Sequence, residues 1–242
     1  MKLLACLLLG AMADAAPVVV LISANAEWRE VKKRWPQQQI EQTPYGETFE
    51  RAMAGQRVRF LHGGWGKVAA AGSTQYALTR WRPRVVLNLG TCGGVAGRIE
   101  RFATLLVERT LIYDIVEMMG DSQEAIDHYT TTLDLSFVRG ELPGGARRGL
   151  LISADRDLAP AEIPQLVKRY GAVAVDWETG AIAYVARRNG VRLVALRGVS
   201  DLVSEQAGGE AYGNSGVFES GTARVMQGLL EQLPAWIRAV VR

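Results

Sequence analysis

The feature that most constrains this chain is a series of short, unbroken apolar runs, several of which end on glycines or carboxylates. Val18 to Ser23 reads VVVLIS, Val85 to Leu89 runs into Gly90-Thr91-Cys92-Gly93-Gly94, and Ala172 to Val175 runs into Asp176-Trp177-Glu178. Val191 to Val199 runs into Ser200-Asp201. A continuous β-branched run, rather than an alternating one, marks a strand buried on both faces. Between these runs lie segments of helical period: Ala26 to Trp35, Lys67 to Trp81, Glu162 to Tyr170, Thr179 to Asn189 and Gly221 to Val241. Strands alternating with helices predict an α/β domain built on a largely parallel sheet covered by helices. Val58 to Leu61 and Leu150 to Ser153 are further expected strands, and Tyr113 to Gly145 reads as loop, substrate lid or subunit contact.

Composition narrows the function. The chain has 242 residues, 48% of them apolar, and a formal net charge of +3. That is one domain of ordinary globular make-up. The charge is nearly balanced and its basic residues are spread along the sequence, which gives nucleic-acid binding no compositional support. Cys6 and Cys92 form no disulfide framework, and with the isolated His62 and His128 they lack metal-ligand spacing. No metal and no cofactor is expected. Cys92 and the two histidines read as structural, because neither histidine is placed to act as a base for a cysteine nucleophile.

The first sixteen residues form a separate object. Lys2 is followed by the apolar run Leu3 to Ala11, too short to span a bilayer, and then by Ala13-Asp14-Ala15. This order predicts a secretory leader cleaved near Ala15 or Ala16, leaving residues 17–242 as the mature domain in the periplasm or medium. Without cleavage the protein is cytoplasmic. Cys6 sits too early to follow a complete apolar region and so does not mark a lipoprotein.

In open parallel sheets ligands bind beyond the carboxyl ends of the strands, where four groups of residues stand. The glycines of Gly90 to Gly94 allow close backbone approach to a ligand, or make a tight turn. Asp176-Trp177-Glu178 offers either carboxylate acceptors for a diol, held ionised by the next helix, or an N-terminal cap for it. Asp201, desolvated at a strand end, can serve as a general acid, or as a turn residue. Glu27 and Glu30 lie three apart on the first helix, and either can orient a water or simply face solvent.

At these residues the chain resembles the purine-nucleoside and uridine phosphorylase family, and most closely its 5′-methylthioadenosine/S-adenosylhomocysteine nucleosidase branch. The segments that carry the resemblance are Asn25-Ala-Glu-Trp-Arg-Glu-Val31, Gly64-Trp-Gly-Lys-Val-Ala-Ala70, Asn88-Leu-Gly-Thr-Cys-Gly-Gly94, Gly149-Leu-Leu-Ile-Ser-Ala-Asp155, Ala174-Val-Asp-Trp-Glu-Thr-Gly-Ala-Ile-Ala183 and Arg197-Gly-Val-Ser-Asp201. The resemblance implies a single domain with a central mixed, partly barrel-like sheet flanked by helices. It implies a homodimer, and hydrolysis of the N-glycosidic bond of a purine nucleoside. It further implies that Glu30 activates water, Glu178 holds the ribose hydroxyls and Asp201 protonates the purine N7. Thr91, Cys92, Gly93, Leu158, Asp176, Trp177 and Ser200 complete the substrate site.

In the phosphorylases the first-motif position is a phosphate-binding arginine. A carboxylate there favours water over phosphate, although Arg29 is adjacent. The chain departs from the branch pattern at Trp177 (usually Met), at Asp176 (usually Glu), and at Asp157, where an aromatic usually packs on the adenine. Two other readings remain: a phosphate-dependent phosphorylase, and an exported non-catalytic nucleoside-binding protein.

Overall fold

A computed structural model describes residues 16–241. The leader expected over residues 1–16 therefore falls outside the described residues, Ala16 excepted. The elements in chain order are β1 (Val18–Ile22), α1 (Asn25–Arg34), β2 (Glu41–Gln42), β3 (Glu47–Met53), β4 (Gln56–His62), α2 (Gly66–Trp81), β5 (Val85–Val95) and β6 (Thr104–Ile112). They continue with α3 (Ser122–His128), β7 (Thr131–Thr132), β8 (Arg147–Ser153), α4 (Ile163–Tyr170), β9 (Ala174–Asp176), α5 (Thr179–Arg188), β10 (Leu193–Ser204), β11 (Gly208–Gly209) and α6 (Ser215–Val240).

One mixed sheet holds the strands in the order β11-β10-β6-β8-β9-β5-β1-β4-β3-β2, and β7 pairs with β6. Because β10 also pairs with β5, the strands β10, β6, β8, β9 and β5 close into a ring. From that barrel the sheet continues outward through β1 and β4. β1 lies parallel to both β4 and β5, and β5 lies parallel to β10. This is the partly barrel-like α/β architecture that the family resemblance implies; the sheet is mixed rather than largely parallel, because hairpins and returning strands add antiparallel pairs.

The mature strands are longer than the apolar runs suggest. Gly90 to Gly94 was expected as a loop after a strand, but it is the second half of β5. There Gly90 pairs with Arg197, Thr91 with Gly198 and Cys92 with Val199. Glycine does not stop a strand whose neighbours on both sides supply the ladder, and here it admits bulky neighbours. A Cβ at position 90 would meet the Arg197 Nη1 at 2.1 Å and the Glu27 Oε1 at 2.7 Å. In the same way β10 runs through Ser200-Asp201 instead of ending before them, with a register shift between Val199 and Asp201. Such an irregularity re-aims a side chain.

Two strands, β3 and β6, had no unbroken apolar run to announce them. β3 carries the partly exposed Glu47, Glu50 and Arg51, and it pairs antiparallel to β4 through the Ala54-Gly55 turn. The segment Tyr113 to Gly145 is not uniformly loop, since it contains α3 and β7.

Candidate active site

A cavity of about 520 Å³ opens at the carboxyl ends of β1, β5, β9 and β10. It gathers nearly all the residues that the sequence singled out. Thr91, Cys92, Gly93, Leu158, Asp176, Trp177, Glu178, Ser200 and Asp201 all border it. Glu30 does not. Its carboxylate faces outward and binds Lys33 at 2.6 Å.

Glu27 takes the inward position instead and is 2% exposed. Its Oε2 accepts from the Ala24 N–H at 3.1 Å, closing the first turn of α1. Its Oε1 accepts from the Thr91 N–H at 2.6 Å and from the Thr91 hydroxyl at 2.8 Å. The water-activating role read for Glu30 thus has its geometric candidate one helical turn earlier.

Asp176 and Glu178 divide the work that the sequence left open between them. Asp176 caps α5, accepting from the Thr179 N–H at 3.1 Å and from the Thr179 hydroxyl. It also accepts from the Ser153 hydroxyl at 2.6 Å, and it faces Arg197 at 3.0 Å. With the helix end satisfied by Asp176, Glu178 is free of capping. Its Oε1 accepts only from the Gly66 N–H among the described residues, at 3.1 Å. Burial, reinforced by the charge of Asp176, pushes the Glu178 carboxyl well above the usual carboxylate range.

Sequence reasoning assigned no role to Arg197. It is fully buried in mid-β10, where an arginine must be paired. Its Nη2 donates to Asn88 Oδ1 at 2.9 Å and its Nε to the Thr179 hydroxyl at 2.8 Å, while Nη1 lies 3.9 Å from Glu27. A charged residue inside an otherwise apolar run was the available signal. The guanidinium compensates the carboxylates of Glu27 and Asp176 together. Breaking such a buried pair by removing one partner costs about 3–5 kcal/mol.

At the other end of the cavity Asp201 is nearly buried, and its Oδ1 accepts from the Ser200 hydroxyl at 2.6 Å. Burial raises its pKa, opposed by the Ser200 hydrogen bond and helped by Glu210 and Asp157. A carboxyl held toward its protonated form can donate. The floor beside it is Leu158, whose carbonyl accepts from the Tyr212 hydroxyl at 2.8 Å. Asp157, in the place of the expected aromatic, borders the cavity with an exposed carboxylate. On the far side Trp177 stacks on Trp65, with centroids 5.1 Å apart. Cys92 is a buried thiol whose pKa burial pushes up, so it is no nucleophile here. Arg29, the cation adjacent to Glu30, lies 3.8 Å from Glu219 and does not border the cavity.

The chain belongs to the phosphorylase superfamily, whose family profile matches residues 9–233. It is 30% identical over 186 residues to the 5′-methylthioadenosine/S-adenosylhomocysteine nucleosidase of Actinobacillus succinogenes, covering 66% of this chain and 74% of that protein. Its fold matches the crystal structure of the nucleosidase of that name from Neisseria meningitidis in complex with methylthio-immucillin-A. The TM-score is 0.72 and the identity 18%, over 93% of this chain and 99% of that one. The Streptococcus pneumoniae MTA/SAH nucleosidase in complex with 8-aminoadenine matches with TM-score 0.74 at 17% identity, over 92% and 99% of the two chains.

Proposed function

We infer that this protein is an N-glycosyl hydrolase that cleaves a purine nucleoside of the 5′-methylthioadenosine/S-adenosylhomocysteine class. The observation that carries this reading is the convergence of Glu27, Glu178 and Asp201 on one cavity, each buried and each differently prepared. Cleavage breaks the bond between the ribose C1′ and the purine nitrogen. The electron pair goes to the purine, which leaves poorly as an anion, and a proton from Asp201 to N7 neutralises it. Positive charge develops on the ribose ring and is stabilised by the nearby carboxylates. Water then bonds to C1′ and passes its proton to Glu27. Glu178 binds the ribose hydroxyls, whose O–H donors favour its charged form.

Water is the nucleophile on electrostatic grounds. The nucleophile side of the cavity holds Glu27, which repels an anion. Arg197 is fully occupied beneath it, and Arg156, which does border the cavity, is bound to Glu162 at 2.8 Å. The expected result is that phosphate leaves turnover of 5′-methylthioadenosine unchanged and that chromatography finds free sugar with free adenine. A sugar 1-phosphate as product would move the protein to the phosphorylase reading.

Two further proposals concern its setting. The protein is a homodimer, a state supported by exposed apolar side chains at Val68, Val116, Met118 and Met119, the last 96% exposed. The ion pair from Lys67 to Asp114 ties the start of α2 to the segment carrying the methionines. It is also exported, as its N-terminal sequence suggests. Light scattering and N-terminal sequencing of one envelope or medium preparation test both. A dimer beginning near Ala16 or Pro17 is expected, and a monomer retaining Met1 would refute both.

A further inference from the structure

The near-balanced total charge conceals a segregation that appears only in the fold. Strands β1, β4, β5 and β10 run in parallel, so their first residues share one edge. That edge is laid out by hydrogen bonds from the Arg84 N–H to the Pro17 carbonyl and from the Val86 N–H to the Arg192 carbonyl. Helices α2 and α5 precede β5 and β10, and they end at the same edge. The end of α5 is held against the second half of α2, where the Asn189 side chain donates to Gln75 at 2.8 Å. The result brings together Arg80, Arg82, Arg84, Arg187, Arg188 and Arg192, all exposed.

Arg80, Arg82, Arg187 and Arg188 form no ion pair among the described residues. Among the described residues the Arg84 side chain binds the neutral Gln56 side chain and the Val241 carbonyl. The acidic groups nearby are few: Asp134 lies beside Arg192, and Glu41 is engaged by Arg59. The catalytic carboxylates lie at the opposite ends of the same strands. Seven residues of β5 from Val85 to Thr91 separate the two ends by roughly 20 Å at the usual rise per residue.

We propose that this arginine edge docks on an anionic phospholipid surface, with the catalytic mouth facing away from it. Clustered arginines beside a bilayer bind phosphodiester headgroups through charge and bidentate hydrogen bonds. Charge complementarity supports a bilayer as the occupant: exposed arginines without ion pairs among the described residues match a dense layer of anionic headgroups. Pro17, near which the mature chain is proposed to begin, lies on this edge, so the exposed arginines stand at the chain's entry with no acidic element of the described residues packed over them. A single-stranded nucleic acid would need aromatic faces between the cations. Here Arg59 already covers the Trp81 ring and Arg192 the Phe137 ring.

Co-sedimentation of the mature chain, residues 17–242, tests this, using vesicles of phosphatidylcholine with about a third phosphatidylglycerol and vesicles of phosphatidylcholine alone. The protein is expected to sediment with the first and not the second, and to be released by salt. Arg187→Gln/Arg188→Gln is expected to weaken binding roughly 25-fold, about fivefold per residue. Its rate of nucleoside hydrolysis should stay at wild type, which shows that it is folded. Arg80→Gln/Arg82→Gln is the second variant, with the same expectation. Wild-type turnover should also be the same on and off the vesicles, since the mouth stays open. Three outcomes would overturn the proposal: equal binding to both vesicle types, binding unchanged in both variants, or a short RNA that displaces the vesicles at equal ionic strength.

Discussion

Asp201→Asn is expected to abolish nearly all turnover while leaving the fold and nucleoside binding in place. The mutant amide can still accept from the Ser200 hydroxyl that now holds Asp201 at 2.6 Å, and it has nearly the same volume. It cannot give a proton to the purine ring as the glycosidic bond breaks. General acid catalysis is worth roughly 10²–10⁴ in rate, and the loss belongs to kcat rather than KM because the proton moves only in the transition state. Stopped assays with unmodified thermal melting of the variant check both halves. If the variant keeps more than about a tenth of the wild-type kcat, below the usual worth of a general acid, then Asp201 is a structural residue of β10 and the leaving group is activated elsewhere.

Glu27 and Glu30 offer the second large contrast, between two residues of one type a single turn apart. Glu27→Gln should cost roughly 10²–10⁴ in kcat, because an amide cannot take the proton from the attacking water. Glu30→Gln should stay within about twofold of wild type. It removes only a surface pair with Lys33, and such pairs are worth about 0–1 kcal/mol. The same assay on both variants, with melting temperatures to show that Glu27→Gln is folded, decides the matter. The reverse ranking would restore Glu30 as the base and would require α1 to turn in the working enzyme.

This contrast also shows where the sequence stopped being legible. A run such as Val18 to Ser23 carries its own evidence of burial, so the strands and the domain class could be read directly. The placement of chemistry was legible in part: Asp176-Trp177-Glu178 does stand at the end of β9, whereas Gly90 to Gly94 and Ser200-Asp201 lie within β5 and β10, whose neighbours extend the ladder past the apolar run. The choice between Glu27 and Glu30 is not local. It depends on which side of α1 faces β5, and that is settled by the Thr91 N–H and hydroxyl, 64 positions away in the chain. The division of labour between Asp176 and Glu178 is hidden for the same reason. Both carboxylates precede α5, and only the arrival of Arg197 from another strand makes one the cap and leaves the other to the cavity. β3 and β6 escaped notice because adjacent charged residues, Glu50-Arg51 and Glu108-Arg109, interrupt their apolar pattern.

Position 90 has a consequence for how this sequence can drift over generations. Glycine there faces Arg197 across the ladder, and even a single methyl group would collide with the guanidinium and with Glu27. An alanine would require both the Arg197 guanidinium and the Glu27 carboxylate to shift, and the loss of Arg197 strands Asp176 and Glu27 without their cation. The two sites are therefore coupled: a side chain at position 90 and the Arg197–Glu27 pair compete for the same space, so a change at one alters which residues the other can accept.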